Sequence, residues 1–346
     1  MAQRRIYIDE SVGETRGVVT VSGRPERLLL SRVGHSYPQL GARYAGRVLK
    51  VEKGTGLAMI NLGPDGQAAL RLKPDRPLPV EGQLLDVEIS IEPQGVKTAV
   101  VRVLGTAAGQ PGRSGDPMTL QARLEAFAPD TAVIRGAEAR AAADQAEDEA
   151  LAVEHPLSGG GSLAIETTRA LTAVDVDLGS GGARDAKRAA RETNLNAIAE
   201  TARLLRLKAL GGLVVIDLVG RGHDGQALAH AVQSAFGPEQ PGVIIGPITK
   251  FGTLELALPR RLRPVQDTLW DARGGLSLDT LALRLVRMIE REGRADGGGR
   301  ITARCSLEVA AAFQAHSAAL AGTLGARFEV MGEPGLAREM MQVSVR

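Results

Sequence analysis

The stretch from Ser162 to Val219 constrains this chain most. It contains Ala173-Val-Asp-Val-Asp177 and, after a helical segment, Gly211-Gly-Leu-Val-Val-Ile-Asp-Leu-Val219. Apolar, β-branched runs of this kind read as strands, and Leu213–Ile216 has the pattern of a strand buried on both faces. Each run carries an acid near its C-terminal end, Asp175 and Asp217. A carboxylate there is costly to desolvate unless something positive meets it. Two delivered to one sheet edge would make a hard oxygen site suited to magnesium.

The segment between the acids, about 183–208, reads as a crossover helix. Leu195, Ile198, Ala202 and Leu205 recur at helical spacing, and Gly211 and Gly212 stop the helix. Strand, helix, strand at this length fits a crossover within one sheet and sets the two acids on neighbouring or near-neighbouring strands. Arg184, Lys187, Arg188, Arg191, Arg203, Arg206 and Lys208 read either as a solvated polar face or as a cationic one.

At 346 residues the chain is long enough for two to four domains. Its net charge of +2 identifies no nucleic-acid binder by itself. A single cysteine, Cys305, excludes a disulfide framework and a cysteine-rich zinc site. With no apolar leader and no run of membrane-spanning length, the expectation is a cytoplasmic protein.

Arg5–Asp9, Thr15–Ser22 and Arg27–Val33 alternate like three strands of a meander. Five short strands follow, at Ala45–Glu52, Gly56–Asn61, Gln67–Leu72, Gln83–Ile91 and Lys97–Val103, with a turn at Pro64-Asp-Gly66. Five strands in so short a span fit an OB barrel. Such barrels hold single strands by a basic groove and stacking aromatics, and Arg47, Lys50, Lys53, Arg71, Lys73 and Lys97 would supply the groove. Residues 105–117, rich in Gly, Ala and Pro, read as a connection. The Ala-rich helix of 137–154 carries Asp144, Glu147, Asp148 and Glu149, read as solvated. Ser158-Gly-Gly-Gly-Ser162 precedes a strand and reads as a linker rather than a phosphate loop. Beyond Asp217 come a helix at Gly225–Phe236 and strands at Gly242–Ile248 and Thr253–Leu258. The C-terminal part reads as an amphipathic helix at Ser277–Glu292, a strand at Ile301–Cys305, a helix at Leu307–Leu324 and a strand pair. Cys305 reads as a packed apolar residue, and His35, His155, His223, His230 and His316 as structural or surface residues.

Ile165-Glu-Thr-Thr168 followed by Ala170-Leu-Thr-Ala-Val-Asp-Val-Asp177 resembles the signature of the bacterial ribonuclease E/G family. The family has Ile-Glu-Thr-Thr, Ala-Leu-Thr-Thr-Ile-Asp-Val-Asn and later Gly-Gly-hydrophobic-Ile-Asp-Phe. Thr193-Asn-Leu195, Leu205-Arg-Leu-Lys208 and Phe251-Gly-Thr-Leu-Glu-Leu256 resemble further family pieces, in the same order.

The resemblance implies an α+β multidomain chain. A ribonuclease-H-like subdomain over 1–38 and 115–160 would be interrupted by an OB-fold RNA-binding barrel over 39–105. A DNase-I-like catalytic subdomain would cover 161–268 and a small α/β C-terminal domain 276–346. It implies a metal-dependent endoribonuclease that hydrolyses single-stranded RNA, with Asp175 and Asp217 as catalytic residues holding magnesium or manganese. Glu166, Thr168 and Thr172 would support them, and Arg47, Lys50, Lys97, Arg206 and Lys250 would contact RNA.

Four departures stand out. Met59 and Ala69 occupy positions where the family stacks bases on aromatics. Asp177 replaces the family's site-orienting Asn and becomes a candidate third metal ligand. No counterpart of the family's 5′-monophosphate sensor follows the barrel, and the segment from Val265 to Arg273 lacks the cysteine pair of its zinc link. No zinc is therefore expected, and a homodimer would need other contacts. These departures leave an alternative: a non-catalytic RNA-binding relative with a degenerate metal site. A dinucleotide-binding enzyme is disfavoured because no Gly-rich strand-to-helix loop is present.

Overall fold

The structure is a computed structural model that describes residues 3–34, 37–179, 186–220, 224–237 and 242–346. The expectations placed on Arg184, His35 and His223 lie outside these residues.

The chain opens with β1 (Arg4–Ser11), β2 (Glu14–Val21) and β3 (Arg24–Arg32), an antiparallel meander whose alternation of apolar residues gives it two usable faces. A barrel is then inserted: β4 (Arg43–Glu52), β5 (Leu57–Asn61), β6 (Gln67–Arg71), β7 (Leu84–Ile91) and β8 (Ala99–Thr106) pair in the order β5-β6-β8-β7-β4, and β4 returns to β5 to close it. This is an OB-like five-stranded barrel filled by residues such as Tyr44, Val48, Ile60 and Val87. Gly46 lets β4 bend close to its neighbours, since a Cβ there would sit 2.5 Å from Ile60 Cγ2. The Gly- and Pro-rich segment that reads as a mere connection contributes a sixth strand, β9 (Gly112–Gly115), on the edge of β4. Arg113 fixes it by an ion pair to Asp65 at 2.8 Å, and Asp65 also accepts from the Tyr44 hydroxyl at 2.6 Å.

After the barrel come α1 (Leu120–Phe127), β10 (Val133–Ile134) and α2 (Ala137–Leu151). β10 adds to β1 in parallel, so one four-stranded sheet, β10-β1-β2-β3, draws strands from both sides of the insertion. Leu124 of α1 packs on one face with Ile6, Ile8, Val19 and Leu29. Ala139, Ala143 and Ala146 of α2 pack on the other with Tyr7, Val18 and Leu28. Gly17 allows the first contact, because a Cβ would meet Leu120 and Leu124 at 2.6 Å.

The second sheet has six strands. β11 (Glu154–Pro156), β12 (Ser162–Thr167), β13 (Thr172–Asp177), β14 (Gly212–Asp217), β15 (Ile244–Ile248) and β16 (Thr253–Leu258) lie in the order β11-β12-β13-β14-β16-β15. The helix α3 (Ala186–Leu207) joins β13 to its parallel neighbour β14, and α4 (Gly225–Phe236) joins β14 to β15. Leu204, Leu205, Val232 and Phe236 bury one face of this sheet. The Gly159–Gly161 run is the turn of the β11–β12 hairpin rather than a linker, with Leu157 N donating to the Gly161 carbonyl.

A short helix α5 (Val265–Leu269) leads to α6 (Leu278–Ala295), β17 (Ile301–Ser306), α7 (Leu307–Leu324), β18 (Phe328–Glu333) and β19 (Gln342–Val345). The last three strands form a sheet ordered β18-β17-β19, and Cys305 is fully buried there. Among the described residues, no helix is long and apolar enough to cross a membrane.

Several charges read as solvated are buried and paired. Glu147 meets Arg16 at 3.0 Å, Arg284 at 2.8 Å and Arg287 at 3.1 Å, and so ties α2 and β2 to α6. Arg16 also pairs with Asp9 and Asp144, each at 2.7 Å, and Arg287 with Glu14. Burial would raise the Glu147 carboxyl, but Arg287, Arg284 and Arg16 outweigh it and hold it at about 2. Lys208 is likewise internal. Its ammonium donates to the carbonyls of Ala150 at 2.9 Å and Ala152 at 2.5 Å, closing the C-terminus of α2, and burial lowers it to about 8.

Candidate metal centre and nucleic-acid interface

The sheet alternation decides which side chains share the site. On β13, Thr172, Val174 and Val176 face the helices, while Ala173, Asp175 and Asp177 face away. On β14, Val214 and Ile216 are buried, whereas Leu213 is 42 % exposed and Val215 half-buried. The expected burial of Leu213–Ile216 on both faces is therefore wrong: one face of this sheet is open. A short apolar run cannot reveal this, since its side chains look alike whichever face is covered.

Asp175 and Asp217 are direct register partners on the adjacent parallel strands β13 and β14. Both side chains are exposed on the open face, on backbones about 4.8 Å apart. Exposure removes the desolvation cost that buried strand ends would have carried. Asp177 lies on the same face two residues further along, and its Oδ1 accepts from the Gly179 amide at 2.8 Å, which sets the turn leaving β13. Gly161, at φ +82, supports this corner from the β11–β12 turn, where a Cβ would lie 2.3 Å from the Asp177 carbonyl oxygen. Among the described residues, no group of three or more His, Cys, Asp or Glu side chains is drawn together tightly enough to hold a metal. The local donor set is the Asp175–Asp217 pair with Asp177 beside it. Two carboxylates suit magnesium, which keeps several waters and takes few protein ligands.

The three supporting residues divide. Glu166 is exposed on the same open face, opposite Ala173. Thr172 is buried on the helix side and cannot reach the acids. Thr168 lies in the β12–β13 turn, at the far end of β13 from Asp175; its Oγ1 donates to the Leu171 carbonyl at 2.8 Å and accepts from the Leu171 amide at 3.0 Å. Glu255 was missed. It stands exposed on β16 opposite Val215, on the same face as the acids, and alternation along Thr253–Leu258 is the signal that finds it.

Asp217 pairs on its other side with Thr253, and Leu218 N donates to the Gly252 carbonyl at 3.2 Å. The turn between β15 and β16, closed by Thr249 Oγ1 and Thr253 Oγ1 at 2.7 Å, is thus set against the acid. It presents exposed Lys250, whose ammonium lies 5.1 Å from the centre of the Phe251 ring, and Phe251 is 79 % exposed. Asn194 of α3 braces the backbone at Val219, just beyond Asp217.

The other candidate RNA contacts are scattered. Arg206 is buried and committed to Glu26 at 2.9 Å and to the Ala235 carbonyl at 2.8 Å, so it is a packing residue. Arg203 is buried against Glu149 and Glu200. Arg47 donates to the Gly82 carbonyl at 3.1 Å, Lys50 pairs with Glu52 at 2.6 Å, and Lys97 is exposed in the β7–β8 turn. Met59 and Ala69, which replace the expected aromatics, are register partners on β5 and β6. His155 is buried, its Nε2 lying 3.2 Å from the Ala152 carbonyl, and burial lowers its pKa. His230 is exposed and His316 lies beside Asp279.

Comparison with known proteins connects this site to a family. The model of the "Ribonuclease E/G family" matches residues 122–261. "Ribonuclease E" of Buchnera aphidicola subsp. Schizaphis graminum is 30 % identical over 168 residues, covering 44 % of this chain and 17 % of its own length. "Ribonuclease E" of Escherichia coli is 38 % identical over 109 residues, or 30 % of this chain and 10 % of its own. "Ribonuclease G" of Salmonella typhimurium is 28 % identical over 201 residues, or 54 % of this chain and 41 % of its own. The chain therefore spans well under half the length of these relatives. The matched segment includes α2, α3 and the strands bearing both acids, so the likeness to the ribonuclease E/G family falls on the candidate site.

Proposed function

We propose that this chain is a metal-assisted endoribonuclease that hydrolyses single-stranded RNA. The observation that supports this reading most is the pairing of Asp175 with Asp217 at one register on an uncovered sheet face. The relatives' names, "Ribonuclease E" and "Ribonuclease G", supply the substrate class. Asp175 and Asp217 would hold magnesium, or manganese, which shares the preference for oxygen donors. When bound, the ion supplies Lewis acidity toward a phosphoryl oxygen. Lys250 brings a cation to the same edge, where it would attract the phosphodiester, and the exposed ring of Phe251 offers a face to a neighbouring base. Glu166 and Glu255 add negative charge further along the face, which favours cation capture over binding of a bare phosphate. In the reaction, the oxygen of water adds to phosphorus, the bond to the leaving ribose oxygen breaks, and that oxygen takes a proton.

In this reading the meander with β10, α1 and α2 is the ribonuclease-H-like part, the barrel an RNA-binding module, and the six-stranded sheet with α3 and α4 the DNase-I-like catalytic part. A second reading, a binding-only relative, draws support from Asp177, which places a third charge beside the pair while its Oδ1 is engaged with Gly179. Incubating a short A/U-rich oligomer with the protein and magnesium separates the two. Cleavage by the wild type that is lost in Asp175→Asn and Asp217→Asn supports the nuclease. Binding without cleavage supports the second reading.

A further inference from the structure

The open face of the six-stranded sheet is ordered in rows. At the end remote from the acids, Ile244 of β15, Ala257 of β16 and Leu213 of β14 stand side by side in register. Ile244 is 69 % exposed and Leu213 42 %, and Ala257 is exposed between them. Two strand spacings make this apolar row about 10 Å wide. In the next row Val215 and Ala173 are half-buried register partners, and exposed Glu255 and Glu166 close the row on either side. The third row holds Asp217 and Asp175. Leu213 and Asp217 lie on the same side of β14, about 13 Å apart at 3.3 Å per residue. Threonine at position 213 or 244 would serve the strand as well without setting an aliphatic side chain in water. Exposed apolar side chains gathered in one row mark a contact surface.

We propose that the Ile244–Ala257–Leu213 row is a base-binding subsite, which seats an unpaired base of the substrate at a fixed offset from the bond that is cut. The proposal rests on the nuclease reading for its ligand. It assigns specificity to Leu213 and Ile244, residues of the sheet that carries the acids and not of the barrel. The charge pattern decides which part of the RNA lies against the sheet. Glu166 and Glu255 repel phosphates from the middle row. A base is uncharged, and its flat face gains by covering aliphatic side chains. Bases therefore face the sheet along the line from Val215 to Leu213, with the phosphates turned outward. A phosphate turns inward only where Asp175 and Asp217 bring a cation. At the 3.4 Å spacing of a stacked strand, the distance to the row is about four nucleotides, and it is fewer in an extended strand. A base inside a duplex has both faces covered by its neighbours and cannot enter the row, so the subsite selects unpaired RNA at that offset.

The test is single-turnover cleavage, by the full chain in magnesium, of a short single-stranded RNA with one cleavage site. An abasic residue is placed in turn at each position on either side of that site. In the wild type, one position within about four nucleotides of the cut should raise the half-saturating RNA concentration about tenfold, the loss of one stacked base. The rate at saturation should hardly change, because the row is remote from the acids. Leu213→Thr with Ile244→Thr should weaken half-saturation of the intact RNA by the same factor and become indifferent to the abasic residue at that position. Equal cleavage at every abasic position in the wild type overturns the subsite without any variant. Independent, multiplying effects of the variant and the abasic residue overturn it too, as does a fall in the saturated rate alone; each leaves the nuclease reading standing. No cleavage of intact RNA by the wild type overturns both. A dimer seen in sedimentation that the double variant abolishes, with its response to RNA unchanged, overturns the subsite in favour of a contact between two copies of the chain.

Discussion

Asn194 holds Val219 by both polar atoms of its backbone: Nδ2 donates to the Val219 carbonyl and Oδ1 accepts from the Val219 amide, each at 3.0 Å. Asn194 is buried and Val219 half-buried, so without the amide the two backbone groups lose their partner in a setting with limited access to water. Asn194→Ala should cost about 1–3 kcal/mol of stability, the penalty for unpaired buried polar groups. It should also slow cleavage at saturating RNA while leaving RNA affinity near wild type, because it loosens the segment after Asp217 and not the barrel. Urea unfolding and single-turnover cleavage measure the two effects.

Asp177→Asn tests whether the extra acid is a ligand. Asparagine keeps the Oδ1 that accepts from Gly179 and removes the charge. Cleavage in magnesium should remain within about threefold of wild type or rise. A fall beyond about 100-fold, more than loss of an outer-sphere contact usually costs, would make Asp177 a direct metal ligand.

Glu147 predicts an acid-sensitive junction. Its folded carboxyl titrates near 2 against an ordinary 4.5, so the proton is bound more weakly in the folded state. Its contribution is therefore complete above about pH 4.5 and is lost as pH falls from there toward 2. Glu147→Gln should cost about 3–5 kcal/mol near neutral pH, since it leaves Arg16 and Arg287 buried without their shared partner. Chemical denaturation between pH 2 and 7 should show the variant's stability falling less steeply across that window. Parallel curves would exclude this role.

The hairpin glycines separate crowding from backbone strain. Gly161→Ala combines φ +82 with a Cβ 2.3 Å from the Asp177 carbonyl oxygen, whereas Gly160→Ala meets nothing within 4 Å at φ +102. Both should destabilise, by roughly 1 kcal/mol for the strain alone. Only Gly161→Ala should also depress cleavage, as Asp177 and its turn are displaced. Thermal melts with cleavage assays decide it; equal activity losses would argue against the coupling.

The elements were largely legible because their signals are local. Gly225–Phe236, Thr253–Leu258 and Leu307–Leu324 appear with the bounds their periodicity and caps predict. The Asp175–Asp217 pairing was also readable, since a strand–helix–strand unit sets its two strands in parallel. What failed depends on residues distant in sequence. Glu147 looks solvated on an Ala-rich helix until Arg284 and Arg287, some 140 positions later, are placed against it. Arg206 looks like an RNA contact until Glu26 arrives from β3. β9 escapes because the edge of β4, not its own composition, makes Gly112–Gly115 a strand. Thr172 is a different failure: alternation with Asp175 already put it on the wrong side.

The uncovered side of the six-stranded sheet has a consequence for what the protein can discriminate. A wall cannot close around its guest, so neither the size nor the outline of a single nucleotide is measured at the acids. In the nuclease reading, choice then comes from how a long molecule lies across the surface, and a chain with bulky folded arms on either side of an extended stretch is admitted as readily as a bare one. Compact phosphate esters, with nothing to anchor them elsewhere, should pass over the same acids unprocessed.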